Sequence, residues 1–95
     1  MTAYWIGNIT VLDKEKYAQY SRIAGEVITE HGGVCLALGG KHKQLEGIER
    51  SRNVVAQFPN LESARKCYYS KKYQHALNLA KGAYKRDVVI VEGVT

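Results

Sequence analysis

Two stretches of helical period, set among runs of strand-like pattern, restrict this chain more than any other feature. Behind Asp13, the residues Tyr17, Tyr20, Ala24, Val27 and Ile28 recur at the three- and four-residue spacing of one helix face. A second stretch begins behind Asn60 and shows Leu61, Ala64, Cys67 and Tyr68 in the same rhythm. The rhythm then slips at Ser70 and resumes with Tyr73, Ala76, Leu77 and Ala80. A serine hydroxyl accepts well from the free amides of a new helical turn, so Ser70 predicts one helix ending and another starting at once. Tyr68, Ser70 and Tyr73 then lie near one helix junction.

The segments around these helices read as strands. Tyr4 to Val11 is rich in aromatic and β-branched residues. His31-Gly32-Gly33 stops the first helix, since glycine takes the left-handed conformation at a helix end without strain. Val34 to Leu38 follows as a strand closed by Gly39-Gly40. Lys41 to Ser51 is polar, and its pattern suggests a short strand around Gln44 to Ile48. Arg52 to Phe58 is a strand ended by Pro59, which cannot donate to a ladder, and Asp87 to Glu92 is the last. The order strand, helix, strand, strand, helix, strand is the ferredoxin-like α+β arrangement, an antiparallel sheet with its helices on one face. Residues 1–95 are expected to form one such domain.

Alternation along the strands raises a question about the far face. If Val54, Ala56 and Phe58 meet the helices, Asn53, Val55 and Gln57 point away, and Val89 and Val91 oppose Val88 and Ile90 in the same manner. Soluble monomers rarely leave so large an apolar patch in water. A second copy packed sheet to sheet would cover it, which predicts a homodimer.

Composition narrows the setting. No apolar run approaches the roughly 20 residues of a membrane span. The opening Met1-Thr2-Ala3-Tyr4-Trp5 has no basic region followed by an apolar stretch, so no secretory signal is expected. Cys35 and Cys67 stand apart, without the close spacing of a zinc or redox pair, and a reducing cytoplasm is the expected setting. The net charge of +5 lies almost wholly after Gly40, where eleven lysines and arginines face five acids. Such an excess is ordinary for a solvated surface and also suits an anionic ligand or nucleic acid.

The chain resembles the uncharacterised DUF-1330 family of the dimeric α/β-barrel superfamily. The resemblance rests on Tyr4-Trp5-Ile6, Val11 with Asp13, Tyr17 with Tyr20, His31-Gly32-Gly33, Gly39-Gly40 and Glu46-Gly47. It continues through Arg52, Val54-Val55, Phe58-Pro59, Ala64, Tyr68, Ser70 with Tyr73, and Asp87 with Gly93. It implies the ferredoxin-like fold and a dimer, and no settled activity. Three positions depart from the family's usual pattern: Gln57 replaces a glutamate before Phe-Pro, Cys67 a tryptophan, and Ala80 an arginine.

Glu46 and Arg52, six positions apart across a turn, are candidate catalytic residues, a proton-accepting carboxylate beside an anion-holding guanidinium. The bland counterpart is a hairpin ion pair of little worth at a surface. Tyr68, Ser70 and Tyr73 are candidate ligand-binding residues, with helix capping the simpler role for Ser70 and core packing equally open to the tyrosines. His31, His42 and His75 share no helical face with a second ligand, so no metal is expected, nor any cofactor. His31 suits a helix C-terminus. Cys67 reads as a small core residue.

The run Tyr4-Trp5-Ile6-Gly7-Asn8-Ile9 imitates the first-strand motif of RNA-recognition domains. Their third strand supplies further stacking aromatics, and here Asn53 and Val55 occupy those places, so nucleic acid is not the expected partner. The reading that fits best is a dimeric domain binding a small polar or aromatic metabolite between sheet and broken helix. The alternatives are a cofactor-independent monooxygenase or isomerase-type enzyme, with Glu46 as base, and an RNA-binding module resting on an exposed Trp5.

Overall fold

Asp13 and Asn60 set where the helices begin. The Asp13 carboxylate accepts from the Lys16 amide at 3.1 Å, and the Asn60 side chain accepts from the Ser63 amide at 2.8 Å. A computed structural model describes residues 1–95. Its elements run β1 (Ala3–Val11), α1 (Lys14–Glu30), β2 (Val34–Leu38), β3 (Arg52–Phe58), α2 (Leu61–Tyr69), α3 (Lys71–Leu79) and β4 (Tyr84–Glu92). All strand pairs are antiparallel and the sheet order is β2-β3-β1-β4, the ferredoxin-like arrangement.

α1 ends as the glycine pair requires. Gly32 has φ +80°, and the amides of His31, Gly32 and Gly33 return to carbonyls of the last turn. The His31 ring adds a fourth tie, with Nδ1 donating to the Val27 carbonyl at 2.9 Å. The helix break also falls at the expected serine. Ser70 Oγ accepts from the Tyr73 amide at 3.2 Å and donates to the Cys67 carbonyl at 2.8 Å, so one hydroxyl closes α2 and opens α3.

The two sheet faces separate as strand parity demands. Trp5 is paired with Ala56 on one side and Ile90 on the other, and this row faces the helices. Ala3, Trp5, Ile9, Ala56 and Phe58 form the sheet's share of the core, met by Tyr17, Tyr20, Ala24, Val27 and Ile28 of α1. Cys67, Tyr73 and Ala76 come from the broken helix, with Ala80 just beyond it. Trp5 packs on Phe58 and meets the edge of Tyr73 at ring-centroid distances of 6.1 and 5.2 Å.

The opposite face carries two rows that cross all four strands: Ala37, Val55, Ile6, Val89 and Val34, Gln57, Tyr4, Val91. Val34, Val89 and Val91 are about half exposed. No helix is long and apolar enough to cross a membrane.

Two expectations are corrected. Residues 39–51 hold no strand; the stretch Gln44 to Ile48 is irregular, turning at Gly47 with φ +87°. Its apolar residues Leu45 and Ile48 are exposed and have no partner strand to alternate against. The last strand begins at Tyr84 rather than Asp87, because Tyr84, Lys85 and Arg86 pair with Val11, Thr10 and Ile9 at the far end of β1.

Candidate functional site

Strand parity places two arginines on the buried side of the sheet. Arg52 opens β3 in phase with Val54, Ala56 and Phe58, and Arg86 lies in β4 in phase with Tyr84, Val88 and Ile90. Both are paired with Ile9 of the central strand β1, so the row reads Arg52, Ile9, Arg86. Two strand spacings separate the guanidinium-bearing positions, about 10 Å. Neither arginine has a carboxylate within ion-pairing distance.

Between this row and α1 lies a cavity of about 80 Å³. Trp5, Ile9, Ile28 and Val54 give it an apolar floor and wall, while Tyr17, Tyr20 and Ser21 are the hydroxyl-bearing residues of α1 that line it. Arg52 and Arg86 are its only charged residues, and no carboxylate, carboxamide or imidazole lines it. Arg52 Nε is buried with no hydrogen-bond partner. The Arg52 guanidinium passes over the Tyr17 ring, 5.9 Å from its centroid. Gly39, at φ +70°, packs beside that guanidinium, and a β-carbon there would overlap it.

Arg86 is held more firmly. It donates to the Tyr20 hydroxyl at 2.7 Å and to the Tyr73 hydroxyl at 3.1 Å, and its guanidinium lies 4.6 Å from the Tyr84 ring centroid. The two phenol oxygens are 2.6 Å apart. Burial pushes the Tyr73 hydroxyl well above the ordinary tyrosine range, with the Tyr20 neighbour adding to it and Arg86 opposing. Tyr17 is raised by burial and by Tyr20, against the pull of Arg52 and Arg86.

The residues singled out from the sequence do not converge. Arg52 alone reaches the cavity. Glu46 is exposed in the irregular 39–51 segment, where its carbonyl accepts from the Gln44 side chain, and it has no ion pair with Arg52. Tyr73 is fully buried, held by Trp5, Tyr20 and Arg86. Ser70 is spent on the two caps. Tyr68 rests against Tyr73 and opens to a separate surface groove with Arg65, Tyr69, Tyr84, Arg86, Val88 and Ile90.

Sequence reasoning passed over Tyr20, which it took for core stripe, and Arg86. The available signal was parity: a charged residue in phase with inward-facing Val88 and Ile90. Starting the strand at Asp87 hid it.

The departures from the family pattern lie elsewhere. Gln57 is on the outer sheet face, and Cys67 and Ala80 are buried among the helices. Burial pushes the Cys67 thiol up to about 12. Trp5 is 3% exposed and turned towards the helices, so it offers no ring for a nucleic-acid base.

Among solved structures, a protein of unknown function from Rhodopseudomonas palustris superposes with a TM-score of 0.80 at 16% identity. The match covers 99% of this chain and 83% of that one. SnoaB, a cofactor-independent oxygenase from Streptomyces nogalater, gives 0.64 at 12% identity over 99% of this chain and 94% of its own. A dimeric ferredoxin-like protein of unknown function from Thermobifida fusca gives 0.62 at 14% identity over 98% and 92%. At such identities the likeness establishes the fold alone. No protein of curated function matches the chain. The pattern of the domain of unknown function DUF1330 matches residues 2–94, nearly the whole length, and the chain belongs to that family.

Proposed function

We propose that this chain is a homodimeric small-molecule-binding protein whose site is the cavity between α1 and the sheet, rather than the helix break. The observation that carries the reading is the apolar cavity walled by Trp5, Ile28 and Val54 and bearing two arginines that no carboxylate neutralises. Apolar walls with a few convergent polar groups suit a small ligand. The irregular 39–51 segment flanks it through Gly39, and Ser51 and Arg50 fasten that segment to β1 by bonds to Ile9 and Thr10.

The dimer rests on the outer face, where Val55, Ile6 and Val89 form a continuous row and Val34 and Val91 stand half exposed. The Thermobifida fusca protein of the same fold is described as dimeric. Two free cysteines suit a reducing compartment, which favours the cytoplasm.

The catalytic alternative draws on the oxygenase of the same fold, but a proton-transfer enzyme needs an acceptor at its substrate. Glu46 lies outside the cavity, and the cavity's lining includes no carboxylate or imidazole. Binding is therefore the better-supported reading.

The lone tryptophan, Trp5, lines the cavity and reports on it directly. A small ligand that shifts Trp5 fluorescence should lose its effect in Gly25→Leu. Gly25 lines the cavity from α1, a β-carbon there has no heavy atom within 4 Å, and leucine is the better helix former, so Gly25→Leu adds apolar bulk at the cavity wall in a helix that tolerates it. Unchanged binding in that variant would refute the cavity as the site.

A further inference from the structure

The proton inventory of the cavity narrows what it can hold. Arginine only donates, and the buried Tyr73 hydroxyl has two polar neighbours, Arg86 and the Tyr20 oxygen. The Tyr73 proton therefore goes to Tyr20, because the reverse direction would leave a donor orphaned in the core. Tyr20 then accepts from both Tyr73 and Arg86, and its own proton is left without a protein acceptor. Tyr20 lines the cavity. On the facing strand, Arg52 Nε is buried and unpartnered. Donor-bearing residues thus line the cavity from two sides, Tyr20 on α1 and Arg52 on β3, with Arg86 bonded to the Tyr20 hydroxyl.

A neutral polar ligand would leave two positive charges in a partly dehydrated site uncompensated. A group that only accepts and carries negative charge answers both the proton count and the charge count. Size sets a further bound. At about 80 Å³ the cavity exceeds the space of a single water and falls short of the 150 Å³ that accommodates benzene. Resting on the small-molecule reading above, we infer that the cavity recognises a small organic monoanion, a carboxylate on a short apolar body, with the carboxylate between Arg52 and Tyr20 and the apolar body against Trp5 and Ile28. Arg52 and Tyr20 are then ligand contacts, Arg86 positions the Tyr20 hydroxyl, and Gly39 positions Arg52 by leaving room for its guanidinium.

Acetate and acetamide differ in charge and scarcely in shape, and with four heavy atoms each they respect the size bound, which makes them suitable probes. Titrated into the full chain at pH 7 with calorimetry and Trp5 fluorescence, acetate should bind at least about tenfold more tightly, the gain expected when neutral hydrogen bonds become charge-assisted ones. Arg52→Gln keeps the three side-chain carbons and a donor at the place of Nε but loses the charge, and it should bring the two affinities together. Tyr20→Phe should weaken the acid several-fold more than the amide. Equal affinities in the native protein would overturn the anion assignment while leaving a small-molecule cavity standing. A preference for the acid that survives Arg52→Gln would place the anion elsewhere on this basic chain and overturn the assignment as well. If neither probe binds up to 50 mM, a ceiling on the order of 2 kcal/mol of binding free energy, the small-molecule reading fails together with the inference.

Discussion

The Tyr73 hydroxyl lies 2.6 Å from that of Tyr20, a contact across 53 positions that ties α3 to α1 beneath the guanidinium of Arg86. Removing that hydroxyl strands a donor of Arg86 and takes away a bond from Tyr20. Tyr73→Phe should therefore lower stability by about 1–3 kcal/mol, the range for losing a buried hydrogen bond with a charged partner. Urea denaturation measures it, and an unchanged midpoint would mean that the hydroxyl is solvated after all.

The strands and helices were legible because each carries its own period and stop. Asp13, Asn60 and Ser70 cap where their side chains predict, and Val34–Leu38 and Arg52–Phe58 fall between glycine or proline breaks. The site was legible only at Arg52. Its partner across the row, Arg86, is in phase with Val88 and Ile90, but that β4 extends to it rests on pairing with the far end of β1, a relation between distant segments. Tyr73 misled for a related reason. A tyrosine on a helix stripe looks alike whether its hydroxyl meets a ligand or, as here, another buried phenol.

Val55 sits on the outer sheet face between Ala37 and Ile6. In a sheet-to-sheet dimer, Val55→Asp would bury an unpaired carboxylate. Sedimentation equilibrium at micromolar concentration should show a dimer for the native chain and a monomer for the variant. A native monomer would rule out the covered face, and a variant that stays dimeric would mean that the interface lies elsewhere.

Alkaline pH should unfold this protein through Cys67. Its thiol titrates at about 12 in the fold against 9.0 in the open chain, with burial the chief cause. Between those values the unfolded chain has released its proton and the folded chain keeps it. Stability supplied by the neutral thiol is thus full below pH 9 and falls as pH rises towards 12. Tyr73, raised above 10.0 by burial, acts in the same direction. Cys67→Ala should flatten the decline, and an unchanged slope in denaturation midpoints across this range would count against the shift. At pH 8, a thiol reagent should label the exposed Cys35 of the native chain and reach Cys67 only in urea.

Glu46 offers a control on the site assignment. Its side chain is exposed on the 39–51 segment and forms no ion pair. Glu46→Gln should leave the unfolding midpoint and acetate affinity within error, as expected of a surface change away from any buried network. A large loss of affinity would bring that segment into the binding site.

The pairing of β2 with β3 shifts register between Cys35 and Ala37, and this irregularity bears on solubility during folding. The strand Val34-Cys35-Leu36-Ala37-Leu38 carries no charge, lies at the sheet's edge and is exposed along its length. A straight strand of that composition would be an open template for a neighbouring chain, with fibrous assembly as the end point. A bulge staggers the outward amides and carbonyls so that an incoming flat strand cannot match them in series. The opposite edge, β4, guards itself with the exposed charges of Lys85 and Asp87 instead. The chain thus keeps both borders of its sheet unreceptive, one by geometry and one by charge.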